Sequence, residues 1–168
     1  MGEEEKKLVK KAKKGDVDAF GRLYEEVYKD LYHFAVYYLN HTQDAEDVVA
    51  ETVMDAYASI GGLKKEESFR AWIFKILSNK CRRKRKEYLN KTTELDPELE
   101  GSTDEFTESG DLQMAMSCLS EEERLIINLI VIAGYKSNEV ASMLHMNANT
   151  VRSKQSRAYE KLRAKLLD

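Results

Sequence analysis

Arg152, Ser153, Lys154, Ser156 and Arg157 fall close together near the end of the chain, with Thr150 just before them. A guanidinium group donates in a fixed fork that suits phosphate oxygens and the acceptor edge of guanine. Hydroxyls and ammonium groups grip phosphates in the same region. From Arg152 to Lys165 there are six bases and one acid. A second basic block, Lys64 to Lys91, sets eleven bases against Glu66, Glu67 and Glu87. Between them, Glu94 to Asp111 carries eight acids and no base. The formal net charge of −3 thus hides two basic blocks around an acidic one, which suits a polyanionic partner. For a single run, the wet face of a helix would suffice.

Residues that could support catalysis are scattered. His33, His41 and His145 form no pattern with Cys81 and Cys118, so neither a zinc site nor an activated nucleophile is expected. Asp44, Glu46 and Asp47 read as partners of a helix dipole. No glycine-rich loop precedes a helix, so no nucleotide cofactor is expected. The two cysteines suggest a reducing, cytoplasmic setting. No apolar run approaches the ~20 residues that span a bilayer, and the start of the chain lacks the apolar stretch of a secretory signal.

One proline, eight glycines and 34% charged residues point to helices rather than turn-rich sheets. The fold class expected is all-α: two small helical domains joined by an acidic flexible linker. Helices are expected over 4–14, 17–39, from near Asp44 to Ile60, and from Phe69 to about Tyr88. Gly15-Asp16 is a stop followed by a fresh N-cap, Asn40 to Gln43 a loop, and Gly61-Gly62 a helix end. These helices form the first domain, residues 1–89. Residues 90–111 read as the linker. The second domain, 112–168, opens with a short helix to Cys118. Ser120 and Glu123 form a capping box for a helix to Ala133. Ser137 is expected to cap Asn138 to Leu144, and Asn149 or Thr150 to open a last helix to about Leu167.

The spacing from Ser137 to Lys165 is that of a helix-turn-helix. Val140, Ala141 and Leu144 face inward on its first helix, and Val151, Ala158 and Leu162 on its second. The basic and hydroxyl face is left for a major groove. A small protein-interaction domain would explain the apolar stripe but not six bases on one helix. In the first domain, Gly61 to Lys65 reads as a mobile basic loop beside Phe69, Trp72 and Phe74. Such a setting suits single-stranded bases, although Trp72 at helical spacing from Phe69 and Ile76 favours a core role.

At this point the residues resemble a known family. "DAEDVVAETVMDAYASIGGLKKEESFRAWIFKILSNKCRRKRK" resembles domain two of the extracytoplasmic-function (ECF) group of bacterial sigma factors, within the sigma-70 family. "LSEEERLIINLIVIAGYKSNEVASMLHMNANTVRSKQSRAYEKLRAKL" resembles their domain four. The resemblance covers about 25–88 and 112–166. It departs from the family's habit at Leu119-Ser120, where a Leu-Pro start is common, and at Ser156, where larger side chains are common.

The resemblance implies a role in transcription initiation without catalysis or cofactor. The implied partners are core RNA polymerase, through its largest and second-largest subunits, promoter DNA and an anti-sigma factor. A monomer is expected when free, with no membrane insertion. Asp44, Glu46, Asp47, Val48, Glu51, Thr52 and Asp55 match the segment that docks on polymerase. Lys64, Lys65, Ser68, Phe69, Arg70, Lys75, Asn79 and Arg83 match the part that reads the minus-ten element. Thr150, Arg152, Ser153, Lys154, Ser156 and Arg157 match the face toward the minus-thirty-five element. The rival reading is a helix-turn-helix regulator that never touches polymerase, which leaves the first domain without a purpose. Two arrangements of the free chain are open: a loosely held linker, or domains packed so that their basic faces are hidden.

Overall fold

The computed structural model describes residues 2–66, 69–92 and 110–167. Those residues form helices α1 (Glu3–Lys13), α2 (Val17–Leu39), α3 (Thr42–Ser59) and α4 (Phe69–Thr92), then α5 (Gly110–Ser117), α6 (Glu121–Ile127), α7 (Ser137–Leu144) and α8 (Ala148–Leu166). A 3-10 turn, Ile60–Gly62, ends α3, and a π-helical turn, Asn128–Ile132, continues α6. No strand occurs among the described residues. The segment expected to be the acidic linker lies outside the described residues over 93–109.

Local signals account for most boundaries. Gly15 adopts φ +98°, a left-handed conformation open to a residue without Cβ, and Asp16 then accepts a hydrogen bond from the Ala19 amide at 3.1 Å. The capping box at α6 is complete: Ser120 Oγ accepts from the Glu123 amide at 3.1 Å, and the Glu123 carboxylate accepts from the Ser120 amide at 3.2 Å. Ser120→Ala is expected to lower stability by about 1 kcal/mol, read from the urea midpoint, with Ser120→Asp recovering most of the loss.

Several boundaries differ from expectation: α5 starts at Gly110 rather than Leu112, and α8 at Ala148 behind an Asn147 cap rather than at Asn149 or Thr150. α3 starts at Thr42 because His41 Nδ1 serves as its cap, accepting from the Asp44 amide at 3.1 Å. α4 runs to Thr92 rather than Tyr88, so 90–92 are helical. The Tyr88 hydroxyl donates to the Asp44 carboxylate, which ties the end of α4 to the start of α3. Ser137 is the first residue of α7 rather than its cap; Lys136 is the extended residue before it, and its amide donates to the Glu139 carboxylate at 2.7 Å. The Ser137 hydroxyl instead donates to Gln155 Oε1 at 3.4 Å, across to α8.

The core is continuous. Leu23, Leu31, Phe34 and Tyr38 of α2 meet Val49 and Ala56 of α3 and Phe69, Ile73, Phe74 and Leu77 of α4. The same buried cluster extends through Ile126 and Leu129 to Val140, Val151 and Ala158. Helix α2 joins the two halves. Its Tyr38 hydroxyl donates to Glu121 Oε1 at 2.9 Å, and its Phe34 carbonyl accepts from Asn128 Nδ2 at 3.3 Å. Gln113 Nε2 donates to Asn40 Oδ1 at 2.8 Å. Of the two arrangements open to the sequence, the two halves are packed together, but the basic faces expected to be hidden by that packing stay largely exposed.

Candidate nucleic-acid interface

Helices α7 and α8 form a helix-turn-helix. Val140 and Ala141 on α7 are buried against Val151, Ala158 and Leu162 on α8. His145 takes the left-handed C-cap at φ +55°, and the Asn147 side chain caps α8 by accepting from the Asn149 amide at 2.8 Å. The inward positions of α8 stand seven and four residues apart, which fixes the opposite face. Thr150, Arg152, Ser153, Ser156 and Arg157 are exposed there. At 1.5 Å per residue these span roughly 10 Å, which suits a major groove about 12 Å wide. Asn149 Oδ1 holds Arg152 Nη2 at 2.8 Å. Lys154 departs from its expected place on that face: it is half-buried and donates to Glu122 at 3.0 Å.

A buried carboxylate anchors α8. Glu123 is buried, and both its oxygens accept from Lys161 Nζ at 3.0 Å. Burial raises the Glu123 pKa, but the Lys161 and Ser120 hydrogen bonds and the Lys161 and Arg157 charges outweigh it, so the net direction is down. A carboxylate held down in the fold stabilises it above the unfolded pKa of about 4.3 and loses that contribution as pH falls through the folded value. Glu123→Gln is therefore expected to flatten the decline of stability from pH 5 downward. Urea melts at pH 7 and pH 3.5 test this; equal declines in both proteins would refute it.

The minus-ten candidates divide. Lys64 and Lys65 are exposed on the loop after the 3-10 turn, anchored by buried Leu63. Lys75, Asn79 and Arg83 recur every four residues along one exposed stripe of α4. Ser68 lies outside the described residues. Phe69 does not belong to a surface: it is fully buried, packed near Trp72 with ring centroids 6.1 Å apart. Phe74 is buried too, while Trp72 is half-buried in the wall of a cavity of about 480 Å³ beside Leu63, Lys64 and Lys75.

Arg70 is engaged rather than free. It donates to Asp30 Oδ2 at 2.8 Å, to the Ile132 carbonyl at 2.6 Å and to the Ala133 carbonyl at 3.3 Å. Its guanidinium also lies 4.8 Å from the centre of the Phe74 ring. These carbonyls stand at the end of the π turn, where a helix leaves acceptors unfilled. Asp30, Ile132 and Ala133 went unnoticed in sequence, and no local signal marks them.

On α3, Asp47 and Glu46 are exposed, whereas Val48 and Thr52 are buried. Those two cannot form a docking surface as the resemblance implied, because α3 packs against both α2 and α4 and buries a wide arc. The Thr52 hydroxyl donates to the Val48 carbonyl at 2.7 Å. Asp55 pairs with Lys80 at 2.6 Å, and Glu51 approaches the same ammonium at 4.0 Å. Asp44 is half-buried in its contacts with Tyr88, His41 and Lys84. Asp47 and Glu51 line a groove of about 390 Å³ between α3 and α4 that also includes Met54, 71% exposed and overlooked in sequence.

Comparison with known proteins accounts for both halves. Residues 23–88 match the family model described as Sigma-70 region 2, and residues 109–162 match Sigma-70, region 4. The ECF RNA polymerase sigma factor SigW of Bacillus subtilis (strain 168) is 28% identical, the alignment covering 97% of this chain and 97% of that one. The solved structure of CnrH in complex with the cytosolic domain of CnrY is similar at a TM-score of 0.71 and 26% identity over 96% of both chains. The sigma factor RpoE of Bartonella quintana, solved with the anti-sigma factor NepR, shares the fold at a TM-score of 0.71 and 24% identity. With regions 2 and 4 matched in order, and with SigW alike along nearly its whole length, the chain belongs to the ECF group of the sigma-70 family of RNA polymerase sigma factors.

Proposed function

We propose that this sigma factor brings core RNA polymerase to a promoter with two elements. The exposed face of α8, from Thr150 to Arg157, reads the minus-thirty-five element. The Lys75, Asn79 and Arg83 stripe, with Lys64 and Lys65, holds the minus-ten element. Residues up to Thr92 act as the docking and minus-ten domain and residues from Gly110 onward as the minus-thirty-five domain, the segment between them serving as the linker. The observation that carries this reading is the outward basic and hydroxyl face of α8 on a chain that also matches region 2. The role is one of binding rather than catalysis, and a cytoplasmic site of action fits it. No helix among the described residues is long and apolar enough to cross a membrane. An anti-sigma partner is part of the proposal, by likeness to RpoE of Bartonella quintana, which was solved with the anti-sigma factor NepR.

Each half offers modest, salt-sensitive DNA affinity. Tethering both to polymerase raises the effective concentration of the second contact once the first has formed. Run-off transcription with purified core polymerase and mapped start sites tests the reading. Initiation at defined sites is expected. A chain that binds duplex DNA but not polymerase would be the plain regulator instead.

Asp47 is the exposed acid best placed for docking. Asp47→Lys is expected to weaken polymerase binding about tenfold, near 1.4 kcal/mol, with an unchanged circular dichroism spectrum. Unaltered binding in a pull-down titration would remove α3 from the interface.

A further inference from the structure

We propose that Arg85 and Arg124 form a binding site for hydrogen phosphate where α2, α4 and α6 meet, a ligand site separate from both DNA-reading faces. Glu121, Arg124 and Asn128 stand three and four residues apart, so they share one face of α6 and its π-helical continuation. That face packs on α2: Glu121 Oε1 accepts from the Tyr38 hydroxyl at 2.9 Å, and Asn128 Nδ2 donates to the Phe34 carbonyl at 3.3 Å. Arg85 approaches the same carboxylate from α4. Its Nε lies 3.6 Å from Glu121 Oε2, which is too far for a hydrogen bond. Arg124 is 6% exposed and makes no hydrogen bond or ion pair among the described residues.

Three buried side-chain atoms lack a hydrogen-bond partner among the described residues, and all three belong here: Arg85 Nε, Arg124 Nε and Asn128 Oδ1. Folded proteins leave few such atoms, and each calls for a physical reason. The charge is unbalanced as well, with two guanidinium groups set against one carboxylate. Burial, then the Arg85 charge, lowers the Arg124 pKa, but a guanidinium does not lose its proton inside a protein. A buried charge without a partner is costly, and an anion is the ligand that offsets it. Guanidinium N–H groups donate as a planar fork, which matches the oxygens of a tetrahedral oxyanion. Hydrogen phosphate also carries an O–H, for which Glu121 Oε2 is the open acceptor. Sulfate presents the same oxygens without that proton, so it meets the carboxylate with a lone pair. Arg85 and Glu121 are half-buried rather than buried, so the site opens to solvent on their side.

The test uses the full chain without polymerase or DNA. Thermal melts at neutral pH are followed by circular dichroism while potassium phosphate, sulfate or chloride is exchanged at constant ionic strength. Sulfate controls for the exclusion of ions from protein surface, which stabilises folds without any site. Phosphate is expected to raise the wild-type midpoint about 4 °C above sulfate, the shift for a ligand at roughly ten times its Kd in a chain of this length. Arg124→Met is expected to lose that difference. Arg152→Ala, which removes an exposed guanidinium of α8, is expected to keep it. Equal wild-type midpoints in phosphate and sulfate would overturn the site. So would a difference that survives Arg124→Met, or one lost in Arg152→Ala, which would put the ion on the reading face. Glu121→Gln gives an independent reading, and it decides alone if Arg124→Met loses helix. Its amide keeps an acceptor for Tyr38 and can donate to sulfate, so phosphate and sulfate are expected to stabilise it alike. A preference for phosphate retained there would defeat the proposal. Adenosine monophosphate, whose ester dianion has no O–H, is expected to stabilise wild type less than phosphate. A larger shift with the nucleotide would refute the assignment to the free ion.

Discussion

Phe34→Ala is expected to lower the stability of the whole chain by about 3–5 kcal/mol. The residue is fully buried and packs against Phe74, with ring centroids 5.9 Å apart. Its own carbonyl accepts from Asn128, so the same residue belongs to the core of the first half and to its seam with the second. Removing the ring deletes apolar contacts and leaves a cavity that rigid neighbouring helices cannot close. Total stabilities of small domains are about 5–15 kcal/mol, so a large share would go. Urea unfolding followed by circular dichroism measures the effect. Because one apolar cluster joins both halves, a single transition shifted to lower urea is expected. A variant whose first half melts early while the second keeps the wild-type midpoint would show that the seam contributes little.

The second large effect concerns DNA. Arg152→Ala and Arg157→Ala are each expected to weaken binding to a minus-thirty-five duplex by about 1–3 kcal/mol, with polymerase affinity intact. Both side chains leave α8 on its exposed face, away from Val151, Ala158 and Leu162. Lys154 and Lys161 are already paired with Glu122 and Glu123, which leaves the two arginines as the better readers of base edges. Anisotropy titrations on matched and scrambled duplexes at several salt concentrations distinguish the roles. Loss confined to the matched duplex marks base reading. Equal loss on both, with a salt slope smaller by about one, marks a phosphate contact.

Much of this was legible in the residues. The inward stripe Val151, Ala158, Leu162 and the capping box Ser120–Glu123 were read correctly, because each depends on neighbours within one or two helical turns. The all-α class followed in the same way. The misreadings have a common cause. Val48 and Thr52 were assigned to a surface by family resemblance, as was Phe69 although its helical spacing placed it in the core, but each is buried where a helix meets more than one neighbour. Lys154 was assigned to the reading face, yet its partner Glu122 lies 32 residues earlier.

The sequence alone thus settled which segments are helical, where they begin to within about two residues, and which face of α8 is apolar. Hydrogen bonds and packing along a helix link residues three and four apart, so their pattern is written locally. The engagement of Arg70, the seam along α2 and the state of Glu121 were not written that way. Their partners lie 62, 94 and 83 residues apart in the chain. Such contacts depend on how whole helices pack, and packing is decided by the joint burial of many side chains rather than by any one spacing. That is why the helix-turn-helix could be recognised from its residues, while the contacts of the segment before it with α2 and α4 emerged only with the folded chain.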